Sequence, residues 1–390
     1  RAVSSESVGR RYMHIIYNGW FWDQPNTGTG QYLRHLLAAL RRAAPDVQLT
    51  LVLPPDVSEV DALPDMVNVV PTSGSRSNLG KVWFEQRTFP QIAGKVGADI
   101  AHVPYWGSPL TSPIPLVTSV LDVIPLALPE YSPGARGRLY TSLVSASARG
   151  STHVITISDA AKADIVQYLG IPAAQITTTH LAADDAYHPR MGSERDAAVR
   201  EKYHLPDNFV LYLGGFDARK QVNDALLAYT YCGPAHGEEY PLVIGGREPA
   251  WGTPMFPNLR EYADQLAVTD YVRWIGYVDE ADKPSLYRLA DVFVYPSAYE
   301  GFGLPVLEAM ASGTPVVARD IPVMQEITGD AAYLVSDART MAGAIIALIL
   351  QAPLRESQIA RGLARATQFR WLKTARETVE VYEKVMRAER

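Results

Sequence analysis

Short runs of consecutive apolar residues punctuate this chain, and between them apolar positions recur every three or four residues. The first pattern fits a strand buried on both faces, the second an amphipathic helix. Tyr12–Tyr17, Leu49–Leu53, Val67–Val70, Ile100–Val103, Leu116–Val120 and Val154–Ile157 read as strands. Helical spacing shows at Gln31–Arg42, where Leu33, Leu36, Leu37 and Leu40 form one face, at about 134–149, and from the N-cap Ser158 to Tyr168. The pattern then restarts. Phe209–Leu213, Leu242–Ile244, Val272–Ile275, Val292–Tyr295 and Pro315–Val317 read as strands, separated by helices near 222–231, 258–267, 281–289 and 304–312. Strand alternating with helix predicts parallel sheets covered on both faces, so two doubly wound α/β domains in tandem are expected. The polar stretch Asp185–Asp207, with its Pro and Gly, is the expected linker. A cleft between two such domains is a natural ligand site, because strand C-termini and helix N-termini face it.

Composition narrows the classes. Hydrophobic residues make up 47% of the 390 and charged residues 20%, which excludes a chain that stays disordered. The formal charge of −6 lies in the second half, and neither half has the basic excess of a nucleic-acid binder. Cys232 is the only cysteine, leaving no internal disulfide and no cysteine-built metal site, in keeping with a cytoplasmic protein. The longest apolar run, Met341–Leu350, is too short for a bilayer span of ~20 residues and reads as a buried helix. Residues 1–11 lack the apolar core of a signal peptide and read as a tail outside the fold.

Several chemistries drop out on motif grounds. Gly28-Thr29-Gly30 opens like a dinucleotide-binding loop, but it lacks the third glycine and lies well beyond its strand, and Leu49–Leu53 ends in Pro54 rather than an acid for a ribose. No G-x-x-x-x-G-K-[ST], H-E-x-x-H, G-x-S-x-G or D-x-D occurs, which argues against P-loop nucleotidases, zincins, typical α/β-hydrolases and D-x-D metal-dependent transferases.

In the second half, glycine and charge gather after strand ends. Leu213-Gly214-Gly215-Phe216-Asp217-Ala218-Arg219-Lys220 combines two glycines, which let a ligand approach the backbone, with two cations opening a helix. Taken alone, a solvated basic pair explains it as well. Glu300-Gly301-Phe302-Gly303-Leu304-Pro305 follows the strand Val292–Tyr295; its glycines leave N–H groups available, and Pro305 suits the first turn of a helix. Glu300 in the loop and Glu308 one turn into that helix can face one bound molecule. Ser312-Gly313-Thr314 is a structural helix stop.

The segment EGFGLPVLEAMASGTPVVA, residues 300–318, resembles the E-x7-E signature of the retaining glycosyltransferase family 4, whose GT-B fold sets two Rossmann-like domains across a deep cleft. The likeness continues through GGFDARKQVNDALLAY, RWIGYVDEADKPSLYRLADVFVYPSAYE and FRWLKTARETVEVYEKV, and in the first half through NTGTGQYLRHLL, HVPYW, LDVIPLALPEYS and THVITISDAAKADIVQYLGIP. It implies an acceptor-binding domain at 1–190, a nucleotide-sugar-binding domain at 205–370 and a last helix, 371–390, crossing back to the first domain. Carried over residue by residue, it makes Lys220 the diphosphate-binding lysine, Glu300 the carboxylate beside the donor sugar and Glu308 the ligand of the ribose hydroxyls. Gly301 and the N–H groups of Phe302, Gly303 and Leu304 would hold hydroxyls or phosphate, with Gly215 on the facing loop. Gly28, Thr29 and Gly30 would touch the diphosphate from across the cleft, Val278 would meet the base through its backbone, and Tyr105 and Trp106 lie on the acceptor side. Two positions depart from the family. Gly214-Gly215 stands where many members have Gly-Arg, so Arg219 is the expected substitute, and Leu121-Asp122 stands where many have His-Asp, leaving that role to Asp122 alone.

The resemblance implies retaining transfer of a hexose of the mannose or glucose type from a UDP- or GDP-sugar to a hydroxyl of a glycan, lipid-linked or small-molecule acceptor. Cationic side chains and loop amides would stabilise the leaving diphosphate, so no metal or other cofactor is expected. A sugar-nucleotide epimerase or a non-catalytic nucleotide-sugar-binding protein on the same fold is the alternative. Peripheral membrane contact through Arg34, Arg41, Arg42 and Lys81-Val82-Trp83-Phe84 stands against their reading as a solvated helix face and a core segment. No nucleic-acid partner is expected.

Overall fold

The computed structural model describes residues 13–57, 63–131, 134–190 and 192–388, and the tail expected at 1–11 lies outside them. Its central strands are fully buried and its edge strands partly so, and they assemble into two parallel sheets with helical crossovers, the arrangement such runs require. The first sheet contains β1 (His14–Asn18), β2 (Gln48–Val52), β3 (Val67–Val70), β4 (Ile100–Val103), β5 (Leu116–Ser119), β6 (His153–Thr156) and β7 (Ile176–Thr178), in the order β3-β2-β1-β4-β5-β6-β7. The second contains β8 (Val210–Leu213), β9 (Leu242–Gly245), β10 (Val272–Gly276), β11 (Val292–Tyr295), β12 (Val316–Arg319) and β13 (Tyr333–Val335), in the order β10-β9-β8-β11-β12-β13. Register is set by burial: Ile15 of β1 lies opposite Leu49 on one side and Ile100 on the other, and all three are fully buried. In each sheet the order reverses beside the first strand, between β1 and β4 and between β8 and β11. The loops leaving those strands diverge and open a crevice.

Three expectations need correction. The linker expected at Asp185–Asp207 contains a helix, Ser193–Lys202. Its sequence is almost wholly polar, with Val199 its buried apolar residue, so periodicity could not reveal it. Tertiary ion pairs hold it instead: Asp196 to Arg288 at 2.6 Å, and Arg195 and Lys202 to Asp282 at 3.0 and 2.6 Å. The glycines expected in a loop at Gly28–Gly30 form the first turn of the helix Gly28–Ala43, because Thr27 caps it by accepting the Gly30 N–H at 3.1 Å. Arg219 and Lys220 do not open a helix; they sit in a 3₁₀ turn, Ala218–Lys220, and the helix starts at Val222 after Gln221 adopts a left-handed conformation. The edge strands β7 and β13, three residues each, also escaped the pattern because they are too short to show one.

The last helix, Trp371–Ala388, crosses from the second sheet's domain to pack on the helix Gly28–Ala43. Tyr382 is its anchor. This fully buried ring shares hydrogen bonds with Tyr17 of β1 and with Nδ1 of His102 on β4, the latter at 2.6 Å. His102 continues to Ser119 on β5 at 2.8 Å and Tyr32 joins the same hydroxyl at 3.0 Å, so one buried polar network spans three strands and two helices. Burial pushes the His102 pKa down to about 3, so its ring is a neutral member of the network. The apolar run Met341–Leu350 forms most of the helix Ala338–Leu350 in the second core. No helix among the described residues is long and apolar enough to cross a membrane.

Tyr382→Ala is expected to cost about 3–5 kcal/mol, the range for deleting a large buried ring, and to leave His102 and Tyr17 short of a partner. A chemical-denaturation curve showing a loss below about 1 kcal/mol would mean the crossing helix is not anchored there.

Candidate active site

The parallel sheets aim their strand C-termini at a common cleft, and the loops after β8 and β11 meet there. Glu300, in the loop after β11, keeps its side chain only 11% exposed. Its Oε1 accepts hydrogen bonds from Lys220 at 2.6 Å, from Tyr295 at 2.8 Å and from Ser297 at 2.5 Å, and its Oε2 lies 2.8 Å from the Arg219 guanidinium. Burial works to raise the Glu300 pKa, but the charges of Lys220 and Arg219 outweigh it and hold it at about 2. Arg219 also pairs with Asp217 at 3.1 Å and donates to the Tyr299 carbonyl at 2.9 Å. The two cations singled out in the sequence are thus locked together by the first motif glutamate rather than solvated.

Gly301 brings the first domain against this cluster. A side chain there would lie 2.6 Å from the Leu121 carbonyl and 3.0 Å from Asp122 Cβ, so only glycine admits the contact. Its carbonyl accepts from Ser158 Oγ at 2.6 Å, while Ser158 caps its own helix. Glu326, from the second domain, caps the same helix at Asp159 N (2.8 Å) and Ala160 N (3.0 Å) and pairs with His180 at 2.7 Å. Tyr299 donates to Asp164 at 2.5 Å and Tyr131 to Asp217. The cleft is closed at this end. Asp122 accepts the Ile124 N–H at 3.1 Å, and burial raises its pKa against the pull of that N–H and of Arg219.

The N–H groups of Phe302, Gly303 and Leu304 have no acceptor among the described residues, and they point from a loop that becomes the helix Leu304–Ala311. Gly303 has φ +99°, a conformation that favours glycine. Phe302 turns its ring away, onto His180 and Phe369.

Beyond this point the cleft widens into a cavity of about 690 Å³. Glu308 and Leu304 line one wall, with Glu280 and Arg288; Gln31 and His35 of the first helix line the other. Glu308 is 8% exposed, and Tyr287 donates to it at 3.1 Å. Burial raises its pKa to about 7, so it is not the ordinary carboxylate that its sequence context suggests. A smaller cavity of about 240 Å³ opens on the first domain's side, and it contains Thr29, Tyr105, Trp106 and Asp122.

Some expected residues lie elsewhere. Gly30 is buried with its α-carbon facing the Gln24 carbonyl, where a side chain would come within 2.0 Å, so packing accounts for this glycine. Gly28 has open space around it and Gly215 is exposed. The Val278 side chain is core, against Gly245, which leaves only its backbone for a ligand. The tetrad 81–84 does not share a face: Phe84 is buried, Trp83 is exposed, and Lys81 lines the smaller cavity. Arg34 and Arg41 donate to the carbonyls of Trp22 and Val47, so neither presents a simple solvated charge. Sequence reasoning missed Gln31, His35, Glu280 and Arg288 in the larger cavity; they belong to helices whose polar faces carry no mark of facing a cleft.

Two facing Rossmann-like domains with this cleft define a GT-B fold. A sucrose-phosphate synthase from Thermosynechococcus elongatus superposes with a TM-score of 0.74 at 21% identity, over 96% of this chain and 100% of that one. The Anabaena protein HepE, solved with UDP and glucose, superposes with a TM-score of 0.72 at 18% identity, over 95% and 100%. The model for glycosyl transferases group 1 matches residues 195–365, and that for glycosyltransferase family 4 matches 26–187. O-antigen chain mannosyltransferase B of Escherichia coli is 32% identical over 95% of this chain and 100% of that protein. Phosphatidyl-myo-inositol mannosyltransferase of Mycolicibacterium smegmatis is 33% identical over 59% of this chain and 57% of that protein. The chain belongs to this family and is a glycosyltransferase.

With the Glu308 pKa raised to about 7, its ionised fraction grows from about a tenth at pH 6 to about nine tenths at pH 8. If the carboxylate accepts from ribose hydroxyls, the ratio of GDP affinities, wild type over Glu308→Gln, is expected to rise about tenfold across that range. Calorimetry at both pH values checks this; using the ratio cancels titration of GDP itself. A constant ratio would place the nucleoside elsewhere.

Proposed function

We propose that the protein transfers a mannosyl residue, or failing that another hexose, from a GDP- or UDP-sugar to a hydroxyl of a growing polysaccharide, with retention at the anomeric carbon and without a metal. The observation that carries this is the closed cluster of Lys220, Arg219 and Glu300 facing Asp122 across the cleft. The mannosyltransferase relatives supply the sugar, and the full-length match to an O-antigen enzyme favours a glycan acceptor over the lipid headgroup named for the partial match.

As the bond from sugar to diphosphate breaks, negative charge grows on the leaving oxygen. Lys220, Arg219 and the N–H groups of Phe302, Gly303 and Leu304, which have no acceptor among the described residues, gather around the place where that charge would sit. Five such donors do the work a divalent ion does in other transferases. Glu300 keeps both cations in place before the donor arrives. The acceptor hydroxyl enters on the face the diphosphate leaves, so the departing phosphate oxygen takes its proton. Asp122, which lines the smaller cavity and feels the charges of Arg219, Glu300 and Lys220, orients that hydroxyl. This division of roles asks for a transferring enzyme; a non-catalytic binder or an epimerase would leave the second cavity without a use.

Lys220→Ala is expected to lower turnover about 10²-fold or more, the scale for losing one group that stabilises developing charge. Near-normal turnover by a folded variant would remove Lys220 from the mechanism. Proton NMR of the product is expected to show the donor's anomeric configuration, and transfer is expected to survive EDTA. Inverted product, or activity restored only by magnesium or manganese, would overturn the mechanism.

A further inference from the structure

The cavity of about 240 Å³ is below the ~300 Å³ typical of a drug-sized ligand, so it has room for a single ring. Its chemistry is unlike that of the larger cavity. Phe21, Tyr105 and Tyr140 surround the Lys81 ammonium with ring centroids 5.1, 5.3 and 5.0 Å away. Lys81 donates to the Tyr140 hydroxyl at 2.9 Å and lies 3.4 Å from Glu85, whose side chain is fully buried. Tyr140 in turn donates to Glu85 at 3.2 Å. An ammonium has three N–H groups, and these two partners leave one to face the cavity.

The charge count decides what fits. Burial raises the Glu85 pKa, and the Lys81 ammonium 3.4 Å away, with the Tyr140 hydroxyl, pulls against it and favours the ionised carboxylate. The positive charge in the cavity is therefore matched before any ligand arrives, and Asp122 adds a second carboxyl group to its lining. A phosphate or carboxylate would find no uncompensated cation here. An uncharged ring with hydroxyls would find apolar ring faces for its C–H groups and a lysine N–H, Thr29 and Asp122 for its hydroxyls.

We propose that this cavity is the acceptor subsite for an uncharged six-membered polyol ring, and that Lys81, Glu85 and Tyr140 set its specificity against phosphorylated acceptors. This rests on the transferase reading above. The ring could belong to a terminal pyranose of a glycan or to an inositol headgroup, since both present the same chemistry.

The test uses the whole protein with methyl α-D-mannopyranoside, myo-inositol and mannose 6-phosphate as probes. Saturation-transfer NMR in saturating GDP, which fills the phosphate-binding centre of the cleft, is expected to show binding of one or both neutral rings; which one identifies the source. Mannose 6-phosphate is expected to bind at least about tenfold more weakly than the better neutral ring. Glu85→Gln leaves Lys81 uncompensated, so that preference is expected to shrink or reverse, an outcome that loss of packing alone would not produce. Tyr140→Phe, which keeps the ring, is expected to weaken the neutral probe about three- to tenfold while GDP affinity stays unchanged. Tighter binding of the phosphorylated sugar by the wild type, or an unmoved preference in folded Glu85→Gln, overturns the proposal. Should Glu85→Gln not fold, neutral-ring affinity unchanged in Tyr140→Phe does the same. Failure to bind GDP at all would instead sink the transferase reading, and the NMR comparison of the three probes would still decide this one.

Discussion

Glu300 is a carboxylate withdrawn from water, and the two cations that make this tolerable come from a loop some eighty residues earlier in the chain. An unpaired charge at that depth would cost several kcal/mol, so the loops after β8 and β11 are obliged to meet. The Arg219 carbonyl then accepts the Ala298 N–H at 2.9 Å, which binds the two backbones as well as the side chains. Once Glu300 is placed, Gly301 is placed beside it, and with Gly301 the contact to Leu121, Asp122 and Ser158 that closes the cleft. Position and charge in this site are one constraint.

The parallel sheets explain why the loops are available to meet. Each crossover returns the chain to the same edge, so the segments following β1, β4, β8 and β11 all leave at strand C-termini. Two sheets turned toward each other bring those edges together. The helix Trp371–Ala388 holds them so, through a buried network in which Tyr382, His102, Ser119 and Tyr32 satisfy one another. Such a network specifies one arrangement, because any slip would strand a polar group in the core.

The cleft separates charge in an orderly way. At its centre stand two cations and three N–H groups with no acceptor among the described residues. On one side is a broad cavity bearing a carboxylate that titrates near neutrality, on the other a small aromatic one whose lysine is already paired. In the proposed transfer these environments would take a diphosphate, a nucleoside and a neutral ring respectively.

Much of this was legible in the sequence. Apolar runs and helical spacing report the backbone's own period, which depends on neighbours along the chain, so the strands from Val67–Val70 to Val292–Tyr295 could be placed closely. Glycine, proline and acid around residue 300 marked a tight loop running into a helix, and the structure has that turn at Gly303 and that helix at Leu304–Ala311. What the pattern could not hold was partnership across the chain. That Lys220 and Arg219 would grip Glu300, that Gly30 would be needed by the Gln24 carbonyl, that Glu308 would be buried enough to shift its pKa, and that Lys81 would turn to Glu85 and Tyr140 all depend on strand order and domain closure. The polar helix Ser193–Lys202 was invisible for the same reason, since distant ion pairs rather than an apolar face hold it. Local sequence therefore determined which elements form and which residue types stand at their ends; tertiary structure alone decided which charges meet and how deeply they are buried, because Coulomb energy and desolvation depend on distance in space and not on distance along the chain.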